Sequence, residues 1–252
     1  MNQKMGADTL LVIPCCAAKS SGGQAIGEDL DALRKLVSPE CYSKMREARA
    51  EVLRGLKADT KYSVGKYSKN STILDGSDLG GDSTSGKYLP AIDRYIGTLY
   101  SVPGLECAIK NAIGSEGLPQ IIILSALYGP LHPLSRIQDY NLMMSDAPAR
   151  ITWSHYFPSF LEEYVKKNGV TKIYLYLGTS TVYYKIAKQA VCQLSDGLIT
   201  RAVQYHVAKG STRNTPLQHG RRLRSDLGGI GDTESLLSEE IRENILRGGC
   251  DA

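Results

Sequence analysis

Three stretches of the chain carry side chains able to do chemistry. The first is Pro14-Cys-Cys-Ala-Ala-Lys19-Ser-Ser-Gly-Gly23. Its small residues allow close backbone approach, Lys19 offers a point charge, and Ser20 and Ser21 offer hydroxyls to an anion. Cys15 or Cys16 beside Lys19 is a candidate nucleophile, because a neighbouring cation lowers a thiol's pKa. A papain-like site would draw its base from His132 or His155. The GxxxxGK[ST] order of a P-loop is absent, as is GxSxG, and an ordinary turn of small residues is the alternative. The second stretch, Leu124 to Met144, gathers Ser125, Tyr128, His132, Arg136, Gln138 and Tyr140, with Gly129, Pro130 and Pro133 turning the backbone. Hydroxyl, phenol, guanidinium and amide groups are those that hold a base and a phosphate. The third stretch carries Lys209, Arg213, Arg221, Arg222 and Arg224 and no acid between them. A flexible basic arm suits phosphate contact. Its alternative is a solvated loop.

These groups need a scaffold, and the apolar pattern supplies one. Leu10–Ile13 predicts a strand that stops at Pro14. Pro39 to about Leu56 predicts a helix with Met45, Ala48, Val52 and Leu56 on one face. Residues 58–87, rich in Gly, Ser, Asp and Lys, are expected to form a long mobile insertion. Further helices are expected over 89–100, 149–167 and 182–194, the last capped by Thr179 or Ser180. Further strands are expected over 120–125, 172–177 and 198–207. A basic loop over 208–231 then leads to a C-terminal helix at 233–247. Alternating strands and helices predict an α/β fold, with a mixed, largely parallel central sheet flanked by helices and a long inserted loop, in one domain over 1–252. In such a sheet ligands sit beyond the strand C-termini. Lys19 and Arg136 are therefore expected to line one cavity, with Tyr128 or Tyr140 stacking a base and Gly129 letting the backbone pass close.

Composition narrows the class. The chain has 252 residues and a net charge of +4, too small to prove a nucleic-acid partner. No apolar run approaches the ~20 residues of a membrane span, and the first residues lack a signal-peptide core. Six cysteines without CxxC spacing argue against a disulfide scaffold or a local zinc site. A cytoplasmic protein with reduced thiols, no metal, no cofactor and no membrane contact is the expectation. Fifteen tyrosines against two phenylalanines and one tryptophan suit base stacking.

Leu124-Ser-Ala-Leu-Tyr-Gly-Pro-Leu-His-Pro-Leu-Ser-Arg-Ile-Gln-Asp-Tyr-Asn-Leu-Met-Met144 resembles the hallmark of the YaaA family, LSxxYGxLxPLxxIxxYxLxM. Ser125, Tyr128, Gly129, Leu131, Pro133, Leu134, Ile137, Tyr140, Leu142 and Met144 fall on it. PCCAAKS is similar to the family's N-terminal SPAKT-like turn, with Lys19 at the matching lysine and the paired cysteines departing from it. The resemblance implies a cytoplasmic α/β protein that binds DNA or a nucleotide or nucleobase and is linked to protection from oxidative damage. It also implies a helix-hairpin-helix element, to which Val102–Ala108 is similar. Related domains look like parts of enzymes that handle modified bases, including the 7-deazaguanine pathways. An enzyme acting on a modified purine-like base or nucleotide, through Lys19, Cys15 and Tyr128, is thus the alternative function. Cys16, Ser20, Ser125, Gly129, His132, Arg136, Gln138 and Tyr140 would then bind the ligand.

Overall fold

Four consecutive branched apolar residues have no polar face to leave in water, so they form strands buried on both sides. Leu10–Ile13 and Ile121–Leu124 do so, nearly all of them at zero exposure. The computed structural model describes residues 5–25, 31–74, 87–207, 215–228 and 241–245. Its main sheet contains β1 (Thr9–Pro14), β3 (Gln120–Ser125), β4 (Gly129–Leu131), β6 (Lys172–Leu175), β7 (Arg201–Val207) and β8 (Ile241–Ile245), while β2 (Leu89–Pro90) and β5 (Arg136–Ile137) pair separately. The order is β4-β3-β1-β6-β7-β8. β3, β1, β6 and β7 run parallel, in a register that sets Val12 between Ile122 and Leu175. β4 and β8 close the edges antiparallel. The fold is mixed α/β and largely parallel, as the sequence pattern predicts.

Helices cover the faces. α1 (Pro39–Lys57) starts at Ser38, whose Oγ accepts from the Cys41 amide. It packs on α5 (Ala147–Lys167), which packs on α6 (Val182–Cys192). α6 is capped by Thr181 rather than Thr179 or Ser180. α4 (Leu105–Ile113) packs on α7 (Thr215–Asp226).

Five further sequence expectations need correction. The 58–87 segment is ordered up to Leu74: two single turns and α2 (Asn70–Leu74) seat Tyr62, Tyr67 and Asn70 in the interior. The wholly buried Asn70 donates to the carbonyls of Tyr62 and Asn141 and accepts from the Asn141 amide, which ties the segment down without any apolar period. Residues 75–86 lie outside the described residues. The 89–100 helix is only α3 (Ala91–Arg94), because buried Arg94 turns its guanidinium to the carbonyls of Gly22, Lys87 and Ile137. The 208–231 basic loop contains α7 over 215–226. Within 233–247, Ile241–Ile245 is strand β8, not helix. No helix precedes α4 closely enough to complete a hairpin over 102–108, since 98–104 are turns.

Candidate functional site

The β1 C-terminus delivers the cysteine pair and Lys19. Cys15 and Cys16, adjacent in extended backbone, face different surroundings. Cys15 Sγ lies 3.0 Å from the Tyr183 hydroxyl on α6. Cys16 Sγ donates to the Ala18 carbonyl at 2.9 Å and accepts from the Gly97 amide at 3.2 Å, and burial pushes its thiol up to about 11. Lys19 is buried, with Nζ donating to the Cys16 carbonyl at 2.9 Å and standing 4.0 Å from the centre of the Tyr140 ring. Among the described residues no carboxylate pairs with it. Burial lowers its pKa, while the neighbouring Cys15, Cys16 and Asp139 act in the opposite sense.

Around Lys19 lies a chain of hydroxyls. Tyr95 Oη is 2.9 Å from Tyr140 Oη, and Tyr140 Oη is 2.8 Å from Ser125 Oγ, which in turn accepts from the Tyr128 amide at 3.0 Å. The two sequence-distant loops thus meet through Lys19, Ser125 and Tyr140. Arg136 takes no part. It stands opposite Pro90 in the β2–β5 pair, where strand alternation gives the interior to Ile137, and among the described residues it makes no hydrogen bond or ring contact with the Lys19–Tyr140 group.

Several other candidates are committed to holding the fold. Ser20 Oγ donates to the Asp93 carbonyl at 2.7 Å. Tyr128 is buried and its hydroxyl accepts from the amide of buried Gln138 at 3.3 Å. Gly129 has φ +67°, and a Cβ there would lie 2.3 Å from the Trp153 ring. His132 Nδ1 accepts from the Leu134 amide at 3.2 Å, and burial holds its pKa down to about 4. Above the unfolded value of about 6.5 the ring is neutral in both states. As pH falls from there toward 4, the unfolded chain takes up a proton that the folded chain refuses, so stability falls. The melting temperature should drop between about pH 7 and about pH 5, and His132→Asn should reduce that drop.

The open space lies one step along the sheet. A cavity of about 380 Å³ sits beyond the C-terminal ends of β1, β6 and β7. Cys15, Tyr176, Gln204 and Tyr205 line it from the strands, Thr179–Thr181 and Tyr183 from the start of α6, and Thr215, Pro216 and His219 from α7. His219 Nε2 is 3.0 Å from the Tyr205 carbonyl. Gln204 is wholly buried, and its Nε2 donates to the carbonyls of Leu177 and Tyr205. These bonds fix the amide orientation, and among the described residues its Oε1 receives no donor. Neither Lys19 nor Arg136 lines this space, though Cys15 does and acts on Lys19 electrostatically.

The family model described as peroxide stress protein YaaA matches residues 12–215, most of the chain. The chain belongs to the YaaA family. No curated protein matches it. The matched span takes in β1 from Val12 through β7 and the first residue of α7, so this YaaA chain carries all the strand ends around the cavity inside the family region.

Sequence reasoning missed Tyr95, Tyr183, Gln204 and His219. The position of Tyr183 in the first turn of a helix after a strand was the one available signal. The basic arm also needs revision. Lys209 and Arg213 lie outside the described residues. Arg222 Nε donates to both oxygens of Asp226 at 2.9 Å, and Tyr176 Oη donates to Asp226 Oδ2 at 2.6 Å. Arg224 donates to the Pro103 carbonyl at 2.8 Å. Arg222→Ala strands the buried Asp226 carboxylate and should cost about 2–3 kcal/mol, where a solvated loop predicts almost nothing. Arg221→Ala should leave the melting temperature within about a degree of wild type. Among the described residues no cluster of His, Cys, Asp or Glu has a metal-binding arrangement, and no helix is long and apolar enough to cross a membrane.

Proposed function

We propose that this YaaA-family protein binds a nucleotide or nucleobase in the cavity beyond β1, β6 and β7. One observation carries the reading: the starts of two helices, 11 and 12 residues long, and the partly exposed Tyr183 line a single space at the strand C-termini. Helix starts present unpaired amides to a phosphate. Tyr183, the one partly exposed tyrosine of the three that line the space, offers its ring to a base, while Tyr176 and Tyr205 are wholly buried beneath it, and about 380 Å³ is within the usual range of small-molecule pockets. The arm residues Arg222 and Arg224 are bonded to other groups of the protein, Arg222 to Asp226 and Arg224 to the Pro103 carbonyl, which favours a small ligand over duplex DNA. Titration calorimetry with adenosine, guanosine, cytidine and uridine monophosphates tests the reading. At least one should bind, and Ser180→Trp, a substitution at an exposed position on the cavity rim, should weaken it more than tenfold without lowering the melting temperature. Absence of binding by all four at millimolar concentration defeats the reading, as does unchanged affinity in the variant.

A second reading is an enzyme acting on a modified purine-like base, with Lys19 as the reacting group. Its support is Lys19 itself, a buried amine without a carboxylate among the described residues and shifted toward its neutral, nucleophilic form. Turnover of such a base that Lys19→Arg abolishes at unchanged ligand affinity is the expected result.

A further inference from the structure

The four free cysteines among the described residues differ in what surrounds them. Cys107 is exposed. Cys41 is buried next to Glu163, and burial pushes its thiol up to about 12. Cys16 is fixed between the Ala18 carbonyl and the Gly97 amide, with no room on the Gly97 side, where a Cβ would meet Cys16 Cβ at 2.7 Å. Cys15 is the one that combines a cavity wall with a phenol at 3.0 Å and Lys19 in electrostatic range. That phenol serves both states of the sulfur. It accepts from the thiol and, once the thiol has ionised, donates to the thiolate. Gln204, a lining residue of the same cavity, is wholly buried and carries a second unexplained group, an Oε1 that has no donor among the described residues. An acceptor held in this way suits a molecule that brings a hydroxyl or N–H of its own. Leu99, Tyr176 and Pro216 make much of the remaining wall apolar, and about 380 Å³ far exceeds the ~30 Å³ of a water-sized molecule.

We infer that Cys15 reduces organic hydroperoxides whose carbon body is held in this cavity. The Cys15 thiolate attacks the terminal oxygen of the hydroperoxide. An S–O bond forms, the O–O bond breaks, and sulfur gives up two electrons to the peroxide. The thiol's proton ends on the departing alkoxide, with the Tyr183 hydroxyl as the donor nearest the sulfur. The products are an alcohol and Cys15 sulfenic acid. Cys16 does not resolve it, because its own sulfur is bonded on the other side of the strand. The oxidised protein therefore keeps the sulfenic acid instead of forming a local disulfide, until an external thiol reduces it. This inference stands apart from the nucleotide reading, since it requires no nucleotide.

The test is a timed reaction of the full chain with cumene hydroperoxide and, separately, with hydrogen peroxide. Dimedone traps sulfenic acid, and peptide mass analysis locates it. The expected result is one dimedone adduct on the Cys15 peptide, formed at least tenfold faster with cumene hydroperoxide than with hydrogen peroxide. Cys107→Ser should leave that rate unchanged, and Tyr183→Phe should slow it severalfold while the melting temperature stays near wild type. Cys15→Ser should abolish the adduct, although the wild-type peptide map alone decides the site. Adduct on Cys16 or Cys107 in place of Cys15 overturns the assignment, and so does a Cys15–Cys16 disulfide as the main product. Equal rates with the two peroxides overturn the cavity's part in choosing the substrate.

Discussion

Gly129→Ala should lower the melting temperature by about 10 °C. Two independent penalties meet at this residue. Its φ of +67° lies in the left-handed region, where an added Cβ costs roughly 1–2 kcal/mol. The same Cβ would lie 2.3 to 2.6 Å from three ring carbons of Trp153. Trp153 cannot retreat easily, because its Nε1 donates to the Ala126 carbonyl at 2.9 Å and the ring is buried. Overpacking of this kind adds roughly 1–3 kcal/mol, and each kcal/mol is worth about 2–4 °C in a chain of this size. The double-mutant cycle with Trp153→Leu separates the two. In the Trp153→Leu background the steric part should vanish and only the backbone part persist. A melting temperature within a degree of wild type would mean that Trp153 does not sit on Gly129.

The second large effect is expected at Arg49. This side chain is almost fully buried on α1 and gathers three oxygen partners, Asp31 Oδ2 at 2.6 Å, the Tyr128 carbonyl at 2.8 Å and the Pro130 carbonyl at 3.2 Å, besides the Met45 sulfur at 3.6 Å. It therefore holds the segment that carries the family hallmark. Arg49→Met keeps much of the length and volume but leaves the Asp31 carboxylate, itself buried, without its cation. Breaking a buried ion pair from one side costs about 3–5 kcal/mol. Asp31→Asn relieves the orphaned charge while its amide still meets Ser135 Oγ, which lies 2.5 Å from Asp31 Oδ1. The double variant Arg49→Met/Asp31→Asn should therefore be more stable than Arg49→Met alone. Strict additivity of the two changes in urea unfolding would show that the pair does not act as a unit.

How much of this is legible in the residues depends on how each segment buries itself. β1 and β3 are legible because unbroken branched residues leave few alternatives. α1 is legible because Pro39 opens it and its apolar residues keep a helical period. α7 hides in a polar stretch because part of its packing is the absence of a side chain. Gly220 lets the helix approach until a Cβ would lie 2.4 Å from the Leu99 carbonyl, and no apolar period records such a contact. The Ile241–Ile245 stretch mimics a helix because a spacing of four suits period 2 as well as period 3.6. The meeting of Lys19 with Ser125 and Tyr140 is legible from strand order. The 380 Å³ cavity is not, because its walls come from the ends of three strands and the starts of two helices, and the sequence holds their separation in no local pattern.

The packing of Trp153 has one more consequence. It is the only indole in the chain, it touches the segment after β3, and it is shut away from water. Its fluorescence is thus a built-in gauge of that segment, emitting at short wavelength while the ring rests on Gly129 and shifting to the red once the contact opens. The many tyrosines widen its reach, since light they absorb passes efficiently to the indole only while the chain is folded around it.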